Sequence, residues 1–405
     1  MKPLLATAFM LASFLSPAPA VTSPHRHLPA SEATVIATLP RRTDFPRSSQ
    51  SSAESAALPS QSDLATVREW IAQARRDADP RWLTRALARL DALPTATLAQ
   101  TDALLLRAET LQGLHQFQPA LTQLDTLLRQ DPRHPGAWRL KAALHQLLGD
   151  YDTARAAILN LLRWGHELDA AIAAAALTGL TAGSVDTATT LTSVIRRHPQ
   201  APAEIRAWGW STAGEILALH GDPAAAESCF RESLRGQPDS PYTTGALADL
   251  LLEQNRPSEV IELLRDATSE GLRLRLAEAL SQSHSSSPEL RNLVQQIQEG
   301  FELSHWRGDA LHLREQARFT LRLRHQASEA LTLARANWEI QKEPADLLLL
   351  LETAQAAGDS AALRAAEIWA RTHQPATWNH FQSRSARAVA TRPESATLPT
   401  PIAAR

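Results

Sequence analysis

AWRLKAALHQLLGDYDTARAAI, residues 137 to 158, reads as two helical runs meeting at a turn around Gly149 and Asp150. Small residues stand at Ala142 before the turn and Ala154 after it, where they let paired helices approach closely, and Tyr151 plugs the gap at the turn. The pattern recurs without gaps 34 residues to either side. Phe117-Gln118-Pro119-Ala120 and Val185-Asp186-Thr187-Ala188 repeat the turn, with Ala108 and Ala176 each twelve positions before its alanine. A fixed period of this length signals a repeat architecture, in which each unit buries its apolar face against its neighbours.

The 137–158 stretch resembles the tetratricopeptide repeat (TPR) family, with Trp138, Ala142, Gly149, Tyr151 and Ala154 on the family's signature positions; Lys141 stands where the family prefers leucine. The motif returns at Trp210–Phe230, with Gly214, Gly221 and Ala226, and Pro238 closes the unit. It returns again at Tyr242–Leu264, with Ala248 and with Val260 in place of alanine. The step from Ala188 to Ala226 is 38 residues, which puts an insertion at Pro199–Glu204. Weaker copies cover Leu311–Trp338 and Ala345–Ala370. Gly271–Leu280 with Pro288–Phe301, and Leu64–Arg76 with Arg81–Leu93, read as further pairs. The resemblance implies an all-α, right-handed superhelical solenoid of antiparallel helix pairs. About nine pairs span residues 63–373, clearest over 101–270.

Composition agrees. Alanine makes up 72 of 405 residues, while valine and isoleucine together number 20. Strands draw on β-branched and aromatic residues, and helices on alanine, leucine and arginine. Forty-one basic residues against 43 acidic ones exclude a strongly basic nucleic-acid binder. A single cysteine, Cys229, excludes an internal disulfide framework and a cysteine-rich metal site, and reads as a small core residue. Prolines 80, 94, 132, 199, 238 and 344 fall between periodic runs, where helix interiors would reject them.

The two ends differ from the middle. Lys2, the apolar run Leu4–Leu15 and small residues at Ala18 and Ala20 have the layout of a secretory signal peptide over residues 1–20. A retained anchor is the alternative, although the run is short of the roughly twenty residues that span a bilayer. Residues 21–62, rich in Ser, Pro, Ala and Thr, read as a disordered leader. Residues 374–405 read as a low-order tail, in which Trp378 and Phe381 could pack back onto the last helix. The expectation is an exported chain, periplasmic in a Gram-negative host, with no membrane span in its mature part.

No phosphate loop, zinc-binding helix or nucleophile elbow occurs in the sequence. The densest cluster of chemistry-bearing residues is Asp309-Ala310-Leu311-His312-Leu313-Arg314-Glu315. It reads as a capped helix start with a surface His312–Glu315 pair, and the basic Arg318, Arg322, Arg324 and Arg335 with their interspersed acids as a solvated mixed-charge face. Neither a cofactor nor a catalytic group is expected; an enzyme with a site near 309–322 is the least favoured reading.

The family resemblance implies a concave wall, formed by the first helix of each pair, that holds a peptide or protein partner. Its groove-facing positions fall on Glu109, Gln112, Arg139, Gln146, Trp208, Glu215, Tyr242 and Asp249, and in a later copy on His312, Glu315 and Arg322. Trp208 and Tyr242 fit either exposed interface aromatics or core. The family's Lys and Asn carboxylate clamp is missing, since Leu105, Glu109, Arg139 and Ala143 stand there. The functional expectation is therefore an exported scaffold or adaptor for an envelope protein, with self-association possible. A component of envelope-assembly or polysaccharide-export machinery is the alternative.

Overall fold

The computed structural model describes residues 61–283, 287–307 and 312–390. The expected signal segment, nearly all of the leader, Asp309 and the last fifteen residues of the expected tail lie outside the described residues. Among those described there are twenty helices and no strand. The first pair is α1 (Gln61–Asp77) with α2 (Arg81–Asp91), followed by the single turn α3 (Thr95–Leu98). The next pairs are α4 (Thr101–Gly113) with α5 (Phe117–Gln130), α6 (Pro135–Leu147) with α7 (Tyr151–Trp164), and α8 (Glu167–Thr181) with α9 (Val185–Arg197). Then come α10 (Ala203–Leu219) with α11 (Pro223–Gly236), α12 (Pro241–Glu253) with α13 (Pro257–Leu263), and α14 (Glu270–Ser283) with α15 (Pro288–Arg307). The series ends with α16 (Leu313–Arg322) and α17 (Ala327–Ile340), α18 (Pro344–Ala356) and α19 (Ser360–His373), and a last helix, α20 (Pro375–Ala390). From α4 onward the first helix of each pair packs on the first helix of the next, giving one continuous inner wall.

The starts and stops follow local chemistry. Asp150, Asp222 and Ser240 cap their helices by accepting from the backbone N–H three residues on, at 3.2, 3.0 and 3.3 Å. Pro135, Pro223, Pro241, Pro257 and Pro344 occupy the first turn, where a missing N–H costs nothing. Most of the turns inside a pair use one residue in the left-handed region, while the turn between α8 and α9 has none. Gly149, Gly221 and Gly358 supply it freely, while His115, Asn255 and His325 adopt it at φ 56°, 57° and 55°. The next residue then closes the helix, as Asp150 N–H does on His145 O at 2.8 Å and Arg256 N–H on Leu251 O at 2.9 Å. His325 is exposed and bears a side chain where glycine is unstrained. His325→Gly is therefore expected to raise stability by about 1 kcal/mol, read as a higher urea midpoint. A lower midpoint would mean that its side chain contributes more than the strain it causes.

The repeated alanines are where the helices touch: Ala108, Ala120, Ala154, Ala188 and Ala226 are fully buried and Ala142 nearly so. Ala176 departs from the pattern and is only half-buried. In its helix the close approach falls at Gly179, where a Cβ would stand 2.6 Å from Ile216. Trp208 and Trp210 pack against the large core that runs from α8 to α16, and Cys229 is buried within it.

Two features were not expected. The wall curls until distant pairs meet: Lys342 N–H donates to Leu147 O at 2.7 Å, and the buried Gln374 amide donates to Tyr151 Oη at 2.6 Å and to Lys342 O at 2.8 Å. Trp369 lies edge-on to Trp338 at 4.7 Å and tilted on Tyr151 at 6.4 Å, so aromatic packing seals the seam. Burial pushes the Tyr151 phenol up to about 12, so it stays protonated. The second correction concerns the tail. Residues 375–390 form α20, because Ala376, Trp378 and Phe381 find apolar cover and Thr377 bonds Gln374 at 3.0 Å. Short polar stretches hide such a helix, whose cover comes from residues far away in sequence.

Candidate functional site

The inner wall carries a ladder of alternating charges built from residues four apart. Arg314, Arg318 and Arg322 lie on one face of α16, Asp249 and Glu253 on one face of α12, and His380 and Arg384 on one face of α20. Arg275 donates to both oxygens of Asp249 at 2.9 and 2.7 Å. Arg318 reaches Asp249 at 2.7 Å and holds both oxygens of Glu278 at 2.5 and 2.7 Å. Arg322 joins Glu278 at 3.1 Å to Glu352 at 3.0 Å, and Arg384 joins Glu352 at 2.9 Å to Glu253 at 3.1 Å. His380 Nε2 closes the chain on Glu253 at 3.3 Å. Beside the ladder, Arg314 pairs with Glu343 and with Asp346, whose carboxylate also accepts from Asn337 at 2.6 Å and from Glu343 N–H at 2.9 Å.

Burial alone would raise these carboxyls, but the guanidiniums outweigh it. Asp249 is held well below the usual carboxylate range by Arg275 and Arg318, and Glu278 below it by Arg318 and Arg322. Glu352 is held down by Arg322 and Arg384, Glu253 by the hydrogen bond from His380 and the charge of Arg384. In return the carboxylates raise Arg318, against its own desolvation. Asp249, Glu253, Glu278 and Glu352 are thus carboxylates matched by the ladder's own cations, not a free anion or cation site, whereas burial raises Asp346 despite the charge of Arg314.

Arg318 and Arg322 are therefore not on a solvated mixed-charge face, whereas Arg335, with 52% of its side-chain surface open, is solvated as expected. Arg318 keeps 13% of its side-chain surface and Glu278 3%, because the acids that match the arginines come from other helices. Nor does His312 pair with Glu315: its Nδ1 lies 3.1 Å from Glu270.

The structure distributes the groove positions read from the sequence as follows. Glu109, Gln112 and His312 line one open cleft of about 310 Å³, together with Ile71, Arg75 and His115. Arg75 pairs with Glu109 across it at 3.3 Å. Arg139 pairs with Asp169 at 3.4 Å, and Gln146 and Glu315 are half-buried. Trp208 belongs to core packing. Asp249 and Arg322 are members of the ladder. The Tyr242 hydroxyl donates to Glu215, yet the Tyr242 ring is 63% exposed. Burial pushes the Glu215 carboxyl up to about 7; the Tyr242 bond opposes this and the nearby Glu343 adds to it. The exposed ring shows that water reaches the pair, so the upward direction holds while the carboxyl retains part of its solvation. Missed in the sequence were Arg275, Glu278, Arg314, Arg318, Asp346, Glu352, Glu253, His380 and Arg384. The available signal was the spacing of four in Arg314, Arg318 and Arg322, in Asp249 and Glu253, and in His380 and Arg384.

No family model matches the chain, and no curated protein matches it. Among solved structures it is similar to a thermophilic TPR protein in Thermus thermophilus, at 23% identity and TM-score 0.30, covering 54% of this chain and 98% of that one. It is also similar to a chain of the APC/C hetero-tetramer Cut9-Hcn1, at 12% identity and TM-score 0.42, covering 75% and 59%. The P58(IPK) TPR domain is similar at 15% identity and TM-score 0.24, covering 80% and 99%. The fold assignment rests instead on the chain's own helical pairs. Their 34-residue period, buried alanines and left-handed turn residues make this chain a tetratricopeptide-type α-solenoid.

Proposed function

We propose that the chain is a protein-interaction scaffold, exported as its first twenty residues suggest, that takes a peptide or protein partner on its inner wall. The observation that carries this reading is Tyr242: a large aromatic, 63% exposed, on a wall whose charged groups are otherwise matched to one another. An aromatic ring presents much contact area for little lost rotamer freedom, which suits the centre of an interface. The cleft at Arg75, Glu109 and Gln112 offers polar groups to the same partner.

Among the described residues no helix is long and apolar enough to cross a membrane. The test is capture from envelope extract with immobilised residues 21–405, beside Tyr242→Ser. A co-purifying protein retained by the parent and lost with Tyr242→Ser is the expected outcome. Identical capture by both baits would take the partner off this part of the wall. Trp208→Ala serves as a packing control, expected to lower stability.

A further inference from the structure

The inner wall already holds one helix, and its chemistry says what else could sit there. α20 packs on α18 and α19, its neighbours in sequence, and also on α8 and α10. Its inward side has two parts. Ala376, Trp378 and Phe381 are buried apolar anchors, and His380 and Arg384 reach across to Glu253 and Glu352. Its other side, at Gln382 and Ser383, faces solvent.

The acidic half of this contact belongs to the solenoid. Glu352 keeps Arg322 if α20 leaves, but among the described residues both cationic partners of Glu253 are on α20. The Glu253 side chain on α12 keeps only 26% of its surface beneath α20, so an occupant that covers it without a cation strands a desolvated carboxylate. Any occupant must therefore bring cations at the right height, four residues apart on one helical face, with aromatics three apart beside them.

We infer that this seat, between α8, α10, α12 and α18, is a receptor for an amphipathic basic helix. α20 is its resident occupant, and a partner helix with two aromatics and two cations in the α20 pattern exchanges with it. This deepens the scaffold reading and rests on the inner wall being the binding surface.

The probe is a labelled peptide of residues 375–390. The full chain is expected to bind it weakly, and the chain carrying Trp378→Ser, Phe381→Ser and Arg384→Ala to bind it well by fluorescence anisotropy. Adding Glu253→Gln to that chain is expected to weaken binding at least about tenfold. A released chain with parental helicity that does not bind the peptide, or one indifferent to Glu253→Gln, overturns the inference. If the released chain loses helicity, hydrogen exchange on the parent decides. Excess peptide is expected to lower protection of amides 379–390, and unchanged protection overturns the exchange. A captured partner that depends on Tyr242 but ignores Glu253→Gln would overturn the seat and leave the scaffold reading standing. Peptide binding at the seat with no captured partner would do the reverse.

Discussion

Replacing Arg318 by methionine is expected to cost about 3–5 kcal/mol, because it leaves Asp249 and Glu278 desolvated and short of a partner. Arg318 lies between these two carboxylates, at 2.7 and 2.5 Å, and Glu278 is 3% exposed. Lysine is expected to recover only part of the loss, since one ammonium cannot hold both oxygens of Glu278 while reaching Asp249. The pH dependence has a definite sign. Asp249, Glu253, Glu278 and Glu352 all bind their protons more weakly folded than unfolded. Their stabilisation is complete above the unfolded carboxylate range, about pH 4–5, and is lost as pH falls through the depressed folded values. Urea unfolding of the parent should therefore weaken below about pH 4.5. Arg318→Met should be less stable at neutral pH and lose less on acidification, because Asp249 and Glu278 are no longer held down. Parallel pH profiles for the two proteins would show that the ladder is not what couples stability to protons.

The ladder also marks where sequence reading runs out. The pairs were legible because their determinants are local. Ala120, Ala154 and Ala188 repeat at fixed spacing, prolines stand at helix starts, and a left-handed residue follows most of the first helices. Those features depend on neighbours within one turn or one unit. The charges on the inner wall do not. Arg318 finds Glu278 forty residues away and Asp249 sixty-nine away, separations set by how far the superhelix rotates per pair. A repeat alignment carries no measure of that rotation, so it does not place one wall against another. The same holds for Gln374 and Tyr151, 223 residues apart. α20 was missed for a related reason: its sixteen residues hold few apolar anchors, and Glu253 and Glu352, which receive its cations, lie in earlier pairs. Among the groove positions, the pattern brought Glu215 and Tyr242 together but could not tell an exposed aromatic from a packed one. Trp208 went into the core and Tyr242 stayed open.

The tightest test of the pairing itself is a double-mutant cycle at Gly214 and Phe230. Gly214 sits in the middle of α10, where glycine is about 1 kcal/mol worse than alanine as a helix former. Its presence is explained by Phe230 of α11: a Cβ at 214 would stand 2.6, 2.7 and 3.0 Å from three ring carbons. The ring is 2% exposed and cannot swing aside. Gly214→Ala is therefore expected to destabilise by about 1–3 kcal/mol despite its better helix propensity, since overpacking outweighs the backbone gain. Phe230→Ala alone should cost about 3–5 kcal/mol, from lost burial and the cavity left behind. Combining them should reverse the sign of the first change. With the ring gone, the alanine methyl has room and fills part of the void, so Gly214→Ala in the Phe230→Ala chain should raise stability by up to about 1 kcal/mol. The coupling, read from urea unfolding of the four proteins, is then about 1–4 kcal/mol. An equal cost in both backgrounds would mean that the helices of this pair can separate to admit a methyl. In that case the close approach at the repeated small residues would not be what sets the packing of the two helices within a pair.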